Sequence, residues 1–267
     1  MSNKAYGKRI KIKETILHNP YYKTFIFNSG IGGFDFHFPG QFVMVHLPGV
    51  GEKPISISSS EIGQFSITVE KKGPFTEELF KLVKEDSLYV RGPYGDGHFG
   101  HLHQPGLGIA GGCGIAPILA VANSFAGCHN SFRILYGAKD KHHLLFDGPE
   151  ETEVQYATDD GSFGYHGFIT DLITKELVEE YDQFFVCGPE KMMKTTAEKI
   201  VEYGVDPKKI ELSLERYMKC GEGICGSCEV SGRRICVDGP VFNYDEILKM
   251  PDFGNYKRDR SGAKAKI

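Results

Sequence analysis

The chain has no tryptophan, and its seven cysteines are an odd number. Four of them crowd between Cys220 and Cys236, while Cys113, Cys128 and Cys187 are scattered. That is not a disulfide framework, and it suits a reducing compartment. An excess of positive charge is also missing. Lysine and arginine number 31 against 35 aspartates and glutamates, and a net charge of −4 argues against non-specific nucleic-acid binding. The basic runs Lys8–Lys13 and Lys257–Lys266 read as solvated faces. The first residues, Met1 to Ile10, lack the apolar stretch of a signal peptide. No unbroken apolar run reaches membrane length. Leu107 to Ala126 comes nearest, but Gly108, Gly111, Gly112, Gly114 and Pro117 break it, as in a strand, a turn and a helix. The expectation is a cytoplasmic protein with neither a membrane nor a nucleic-acid partner. Repeats and low-complexity segments are absent too.

What is present is enough for about two domains: 267 residues, 40% of them hydrophobic. Residues 1–100 hold short β-type runs (Ile10, Ile12, Thr24–Phe27, Phe42–Leu47, Ile55–Ile57, Phe65–Val69, Leu88–Val90) separated by Gly, Pro, Asn and Asp. This predicts an antiparallel barrel interrupted by one helix, Thr76 to Lys84. Residues 101–212 alternate strands with helices, which predicts an α/β domain with a parallel sheet. Helices are expected over Ala116–Phe125, Thr170–Glu180 and Glu190–Tyr203, with Ile210–Leu214 as the last strand. Residues 213–267 form a small third unit whose tail after Asp252 reads as loose.

The chemistry starts with Cys220, Cys225, Cys228 and Cys236, spaced C-x4-C-x2-C-x7-C in a glycine-rich loop. The first three follow the ligand spacing of plant-type 2Fe–2S centres. Gly221, Gly223 and Gly226 let backbone N–H groups approach the sulfurs. A structural zinc site is the alternative, but zinc favours two separated C-x2-C pairs, and only Cys225 and Cys228 make one.

The segment Gly108 to Pro117, with Gly111, Gly112 and Gly114, reads as a strand, a glycine turn and a helix start able to receive a pyrophosphate; a tight packed turn is the bland alternative. Cys187-Gly188-Pro189 leaves a second strand, and Thr158 to Asp160 a third, so Asp159 and Cys187 would meet at the strand ends. Cys187 is a candidate contact for a nicotinamide ring, or simply a small buried cysteine. In the first hundred residues, Lys53-Pro54-Ile55-Ser56 offers a cation and a hydroxyl. Gly73, Phe75 and Thr76 sit in a turn expected to open a helix capped by Thr76. His98, His101 and His103 lack the carboxylate or thiol partners of a metal site.

A nicotinamide gives up two electrons together as hydride, whereas an iron–sulfur centre takes one. Flavin is the usual converter between them, so a chain with both sites is expected to bind FAD or FMN as well.

At these residues the chain resembles the ferredoxin–NADP reductase superfamily. More narrowly it is similar, over nearly its whole length, to the electron-transfer subunits of NAD-dependent two-subunit dihydroorotate dehydrogenases. The resemblance implies that Lys53-Pro54-Ile55-Ser56 and Thr68, Val69, Glu70, Gly73, Phe75 and Thr76 bind FAD. It implies that Gly111 to Pro117, Ala157 to Ser162 and Cys187 to Pro189 bind NAD(H), and that the four cysteines hold the cluster. Gly92 to Phe99 and Arg234 to Phe242 match further family segments, with a histidine inserted before Phe99. Lys53 stands where the family usually has arginine, keeping the charge without the bidentate fork. The seven-residue gap before Cys236 is also shorter than usual. A partner is implied as well: an FMN-containing catalytic subunit that oxidises dihydroorotate in pyrimidine synthesis, joined in a heterotetramer. The rival expectation is a reductase subunit of a hydrogenase or of a ferredoxin-dependent NAD(P) oxidoreductase.

Overall fold

The computed structural model describes residues 7–28, 38–61, 63–100, 104–125, 131–145, 152–259 and 261–267. Cys128, His101 and His103 lie outside them.

Six strands close a barrel: β1 (Lys8–Leu17), β2 (Tyr22–Asn28), β3 (Phe42–Leu47), β4 (Gly51–Glu61), β5 (Gln64–Glu70) and β6 (Ser87–Tyr94). Their order around the barrel is β1-β2-β5-β4-β3-β6, and the pairings are antiparallel. Ile12, Phe25, Phe27, Val43, Val45 and Ile67 fill the interior with no exposed surface. Alternation selects them, because every second side chain of a strand points inward. Helix α1 (Pro74–Lys81) follows β5 and buries Phe75 and Leu79 in this core. It starts two residues earlier than the sequence predicts, because proline at a helix start loses no hydrogen bond.

The second half begins with β7 (Gly106–Gly111), a 3-10 turn Gly112–Gly114 and α2 (Ile115–Phe125). Then come β8 (Phe132–Ala138), β9 (Glu153–Thr158), β10 (Tyr165–His166), α3 (Lys175–Glu179), β11 (Gln183–Cys187), α4 (Glu190–Glu202) and β12 (Ile210–Ser213). The helix expected over 170–180 is split into a 3-10 turn, Ile169–Leu172, and α3, whose N-cap Thr174 accepts a bond from Leu177 N at 3.3 Å. All of β7 is buried, as befits a strand covered on both faces. Gly108 lets α2 lie close: a Cβ there would be 2.7 Å from Ile118.

The C-terminal segment adds β13 (Glu229–Val230), β14 (Arg233–Arg234), α5 (Ile235–Asp238), β15 (Val241–Asn243), α6 (Tyr244–Ile247), β16 (Tyr256–Arg258) and β17 (Lys264–Lys266). The sheet runs β10-β9-β8-β7-β11-β12-β15. Its last strand, β15, is antiparallel to β12, so the sheet extends past residue 212 into the cysteine-bearing segment. The tail read as loose after Asp252 is instead a hairpin. Gly254 N donates to Glu190 Oε2 at 2.8 Å, Arg258 pairs with Glu229, and Lys264 with Asp252. Buried core residues join all three parts: Phe42 and Met44 of β3 pack in one cluster with Val186, Leu212, Cys228 and Cys236.

Candidate functional site

The cysteine loop lies against the barrel. A Cβ on Gly221 would come within 3.0 Å of Met44 Cγ, and Tyr94 is next to it. Gly223 has φ +73°, a conformation that suits glycine, and its N–H donates to Cys236 Sγ at 3.2 Å. Glu222 N and Cys225 N both point at Cys220 Sγ, each at 3.4 Å. These are the N–H···S bonds that an iron–sulfur centre requires. Cys228 and Cys236 are buried, Cys220 is half-buried and Cys225 exposed. Desolvation works to raise the Cys225 thiol, but bonds to Ser227 and Cys220 outweigh it and bring it down to about 6. Burial, then the hydrogen bond with Cys228, pushes Cys236 up to about 12. Among the described residues no three side chains of His, Cys, Asp or Glu gather to hold one metal ion. Thiols in one loop with backbone N–H groups aimed at the Cys220 and Cys236 sulfurs fit an iron–sulfur core.

The β4–β5 pairing is incomplete next to the residues expected to bind the flavin. The β4–β5 ladder runs from Glu61–Gln64 to Ile57–Ile67 and stops. Beyond it Lys53–Ser56 pair with β3, and Thr68–Glu70 with β2, and the ladder no longer joins the two stretches. Glu70 Oε2 is buried there with no hydrogen-bond partner; Lys72 Nζ lies 3.6 Å away, too far for one. A buried carboxylate oxygen that is ion-paired with Lys72 but accepts no hydrogen bond fits a hydroxyl-bearing ligand such as a flavin side chain. The Glu70 charge, more than any other cause, raises the pKa of Lys72. Lys53 Nζ lies 5.2 Å from the centre of the Tyr217 ring.

Val69 and Phe75 face the barrel core, whereas the Thr68 side chain lies on the opposite face of β5. Thr68 Oγ1 bonds Thr24 at 2.8 Å and Ser58 at 2.9 Å, and Val69 and Phe75 are buried in the core. Thr76 does not cap α1 as expected. It is the third helical residue, and its Oγ1 accepts from Lys72 N at 2.8 Å and Gly73 N at 3.1 Å, shaping the turn that precedes the helix.

At the carboxyl ends of the parallel strands two glycine loops touch. A Cβ on Gly114 would be 2.3 Å from Cys187 O, and one on Gly111 2.5 Å from Met192 Sδ and 2.9 Å from Pro189 Cδ. Register places Cys187 beside Ala110 on one side and Ser213 on the other. Burial pushes the Cys187 thiol up to about 12, with the Glu215 charge adding to it, so it is neutral near pH 7. Desolvation, then Asp160, raises Asp159. At the ends of β8 and β9, an open cavity of about 390 Å³ is lined by His18, Asn19, Lys141, His142 and Phe163. His98 stacks on Phe38 at 4.3 Å.

Other residues at the site escape sequence reading. Arg91 of β6 grips Glu52 and reaches the Cys220 carbonyl, Glu222 and Tyr94. Arg216, just after β12, is a buried partner of Glu190 at the start of α4. Both are long-range pairs without a local motif.

An antiparallel barrel joined to a nucleotide-type sheet, with a four-thiol loop at their junction, defines an oxidoreductase of the ferredoxin–NADP reductase type. The description "Iron-sulfur cluster binding domain of dihydroorotate dehydrogenase B" matches residues 215–248, and "Oxidoreductase NAD-binding domain" matches residues 109–198. A "Probable dihydroorotate dehydrogenase B (NAD(+)), electron transfer subunit" of Methanocaldococcus jannaschii is 43% identical over 259 residues, 95% of this chain and 96% of that protein. One of the same name from Pyrococcus horikoshii is 42% identical over 253 residues, 94% of this chain and 95% of its own. The chain belongs to this family of electron transfer subunits. A solved structure of an NADH-dependent reduced ferredoxin–NADP oxidoreductase superposes with a TM-score of 0.75 at 29% identity, covering 94% of this chain and 95% of that one.

Proposed function

We propose that this chain is the NAD-linked half of a dihydroorotate-oxidising enzyme, taking electrons from an FMN-bearing catalytic subunit through a 2Fe–2S centre and FAD to NAD. The observation that carries this reading is the seating of the thiol loop on barrel strands β3 and β6, which leaves Cys225 exposed and Cys220 half-buried and puts Cys228 and Cys236 into the shared core. FAD supplies the exchange between hydride and single electrons. Cys220, Cys225, Cys228 and Cys236 hold the iron. Lys53, Pro54, Ile55, Ser56, Glu70 and the main chain of Thr68 and Val69 flank the flavin, and Gly73 to Thr76 shape the anion-binding turn beside it. Gly111, Gly112, Gly114 and Pro117, with Asp159, Gly188 and Pro189, receive NAD(H). Cys187 is a neutral contact for the nicotinamide ring and no thiolate nucleophile. The functional units are 1–100 for flavin, 101–212 for the nicotinamide and 213–267 for the cluster, the last lending β15 to the sheet of the second.

Among the described residues no helix is long and apolar enough to cross a membrane. A cytoplasmic heterotetramer is the assembly we propose. A second reading, a reductase subunit of a hydrogenase or of a ferredoxin-dependent NAD(P) oxidoreductase, draws support from the solved oxidoreductase at 29% identity. Isolation of the native complex decides between them. The first reading expects bound FMN and FAD, with orotate formed as NAD+ is reduced. A complex that reduces NAD(P)+ with ferredoxin but leaves dihydroorotate untouched would establish the second.

A further inference from the structure

We infer that Arg91 is a positioning residue for the iron–sulfur centre, tying the Cys220 loop to flavin-side strand β4 and raising the centre's reduction potential through its charge. The inference rests on the cluster assignment above. Every part of the guanidinium fork is engaged. Nε and Nη2 donate to the two Glu52 oxygens at 2.9 and 2.7 Å. Nη1 donates to the carbonyl of Cys220 at 2.9 Å, to Glu222 Oε1 at 3.2 Å and to the Tyr94 hydroxyl at 3.2 Å. Tyr94 closes the ring by donating to Glu222 Oε1 at 3.0 Å. Glu52 directly precedes Lys53 of the flavin segment, and Cys220 is the first thiol of the loop. One side chain therefore spans from the flavin strand to a cluster ligand. Electron tunnelling falls steeply with distance, so a fixed span matters to the transfer rate.

The charge matters separately. The Arg91 side chain is only 11% exposed, so little water screens it. Reducing the cluster adds one negative charge, which a nearby cation favours. Glu52 and Glu222 face the same cation with two negative charges, so losing the arginine would leave two carboxylates beside the loop. Lysine in its place would keep the charge but could not make the bidentate grip and the Cys220 bond together.

The test uses the full chain reconstituted with iron and sulfide, titrated potentiometrically with the reduced cluster followed by electron paramagnetic resonance. At the wild-type midpoint, Arg91→Met should lower the reduced-to-oxidised ratio about tenfold, equivalent to ~59 mV for a one-electron couple. Glu222→Gln should raise the ratio roughly threefold. Arg91→Lys should keep it within about threefold while releasing iron to a chelator several-fold faster than wild type. Midpoints unchanged in both Arg91→Met and Glu222→Gln, or shifted in the same direction, would overturn the inference. If Arg91→Met fails to hold a cluster, the other two variants decide it by the same criteria. A wild-type chain that takes up no iron would instead overturn the cluster assignment itself.

Discussion

Replacing Gly114 by alanine puts the contact between the two nicotinamide-side loops to its sharpest test. The added Cβ would lie 2.3 Å from Cys187 O, 2.5 Å from Cys187 C and 2.7 Å from Gly188 N. Ordinary carbon contacts begin near 3.5 Å, so one loop must retreat by about 1 Å. The obstacle is backbone in a packed sheet, which cannot swing aside like a long side chain. Overpacking of this kind costs about 3 kcal/mol, the upper end of its usual range. At roughly 2 °C per kcal/mol for a chain of this size, melting should fall by about 6 °C. NADH should bind at least about tenfold more weakly, because a misplacement of about 1 Å at a positioning loop is costly. Gly112→Ala is the control for melting alone, since Gly112 also belongs to the NAD(H) loop. Its φ is +53° with no protein atom within 4 Å of a Cβ, so its stability loss is only the left-handed backbone penalty of about 1 kcal/mol. Calorimetry on both variants and NADH titration of Gly114→Ala, each on the full chain, measure the effects. The reasoning fails if Gly114→Ala melts and binds like wild type, or if Gly112→Ala melts the lower of the two.

Arg216→Met should destabilise by about 3–5 kcal/mol, since it strands the largely buried Glu190 carboxylate, whereas Arg216→Met with Glu190→Gln should recover most of that. Equal losses in the single and double variants in urea melts would refute an ion-pair origin. Cys187 has a folded pKa raised to about 12 from an ordinary 9.0, so its contribution is intact below pH 9 and is lost as pH rises from there toward 12. Cys187→Ala should therefore flatten the alkaline fall in melting temperature; an unchanged alkaline slope counts against a buried neutral thiol. Cys225→Ser should leave flavin content intact but slow electron flow to the partner by at least about a hundredfold, as loss of one cluster ligand predicts. Stopped-flow transfer at the wild-type rate would remove the cluster from the path.

Strand alternation, glycine turns and the shift to α/β periodicity at residues 101–212 are local signals, so the barrel and the nucleotide-type sheet were readable from the chain alone. The same holds for the cluster loop, because its ligands are packed into seventeen residues, Cys220 to Cys236, and their spacing carries the chemistry. Boundaries were less secure. Thr76 looked like a cap until Pro74 took the first helical position, and the polar tail looked loose until Arg258, Lys264 and Gly254 found partners elsewhere in the chain. The two-sided character of residues 213–267 was invisible too: β15 pairs antiparallel with β12 through a register that no local pattern announces. Thr68 and Val69 matched a flavin motif by type, yet alternation turns Val69 into the barrel core and leaves Thr68 bonded to Thr24 and Ser58 on the other face of β5, a division that strand pairing decides. Arg91 reaches Cys220 across 129 positions and Arg216 reaches Glu190 across 26. Sequence determined which chemical groups the protein owns. Tertiary structure decided which of them meet, because contacts between residues far apart in the chain are set by how its layers pack.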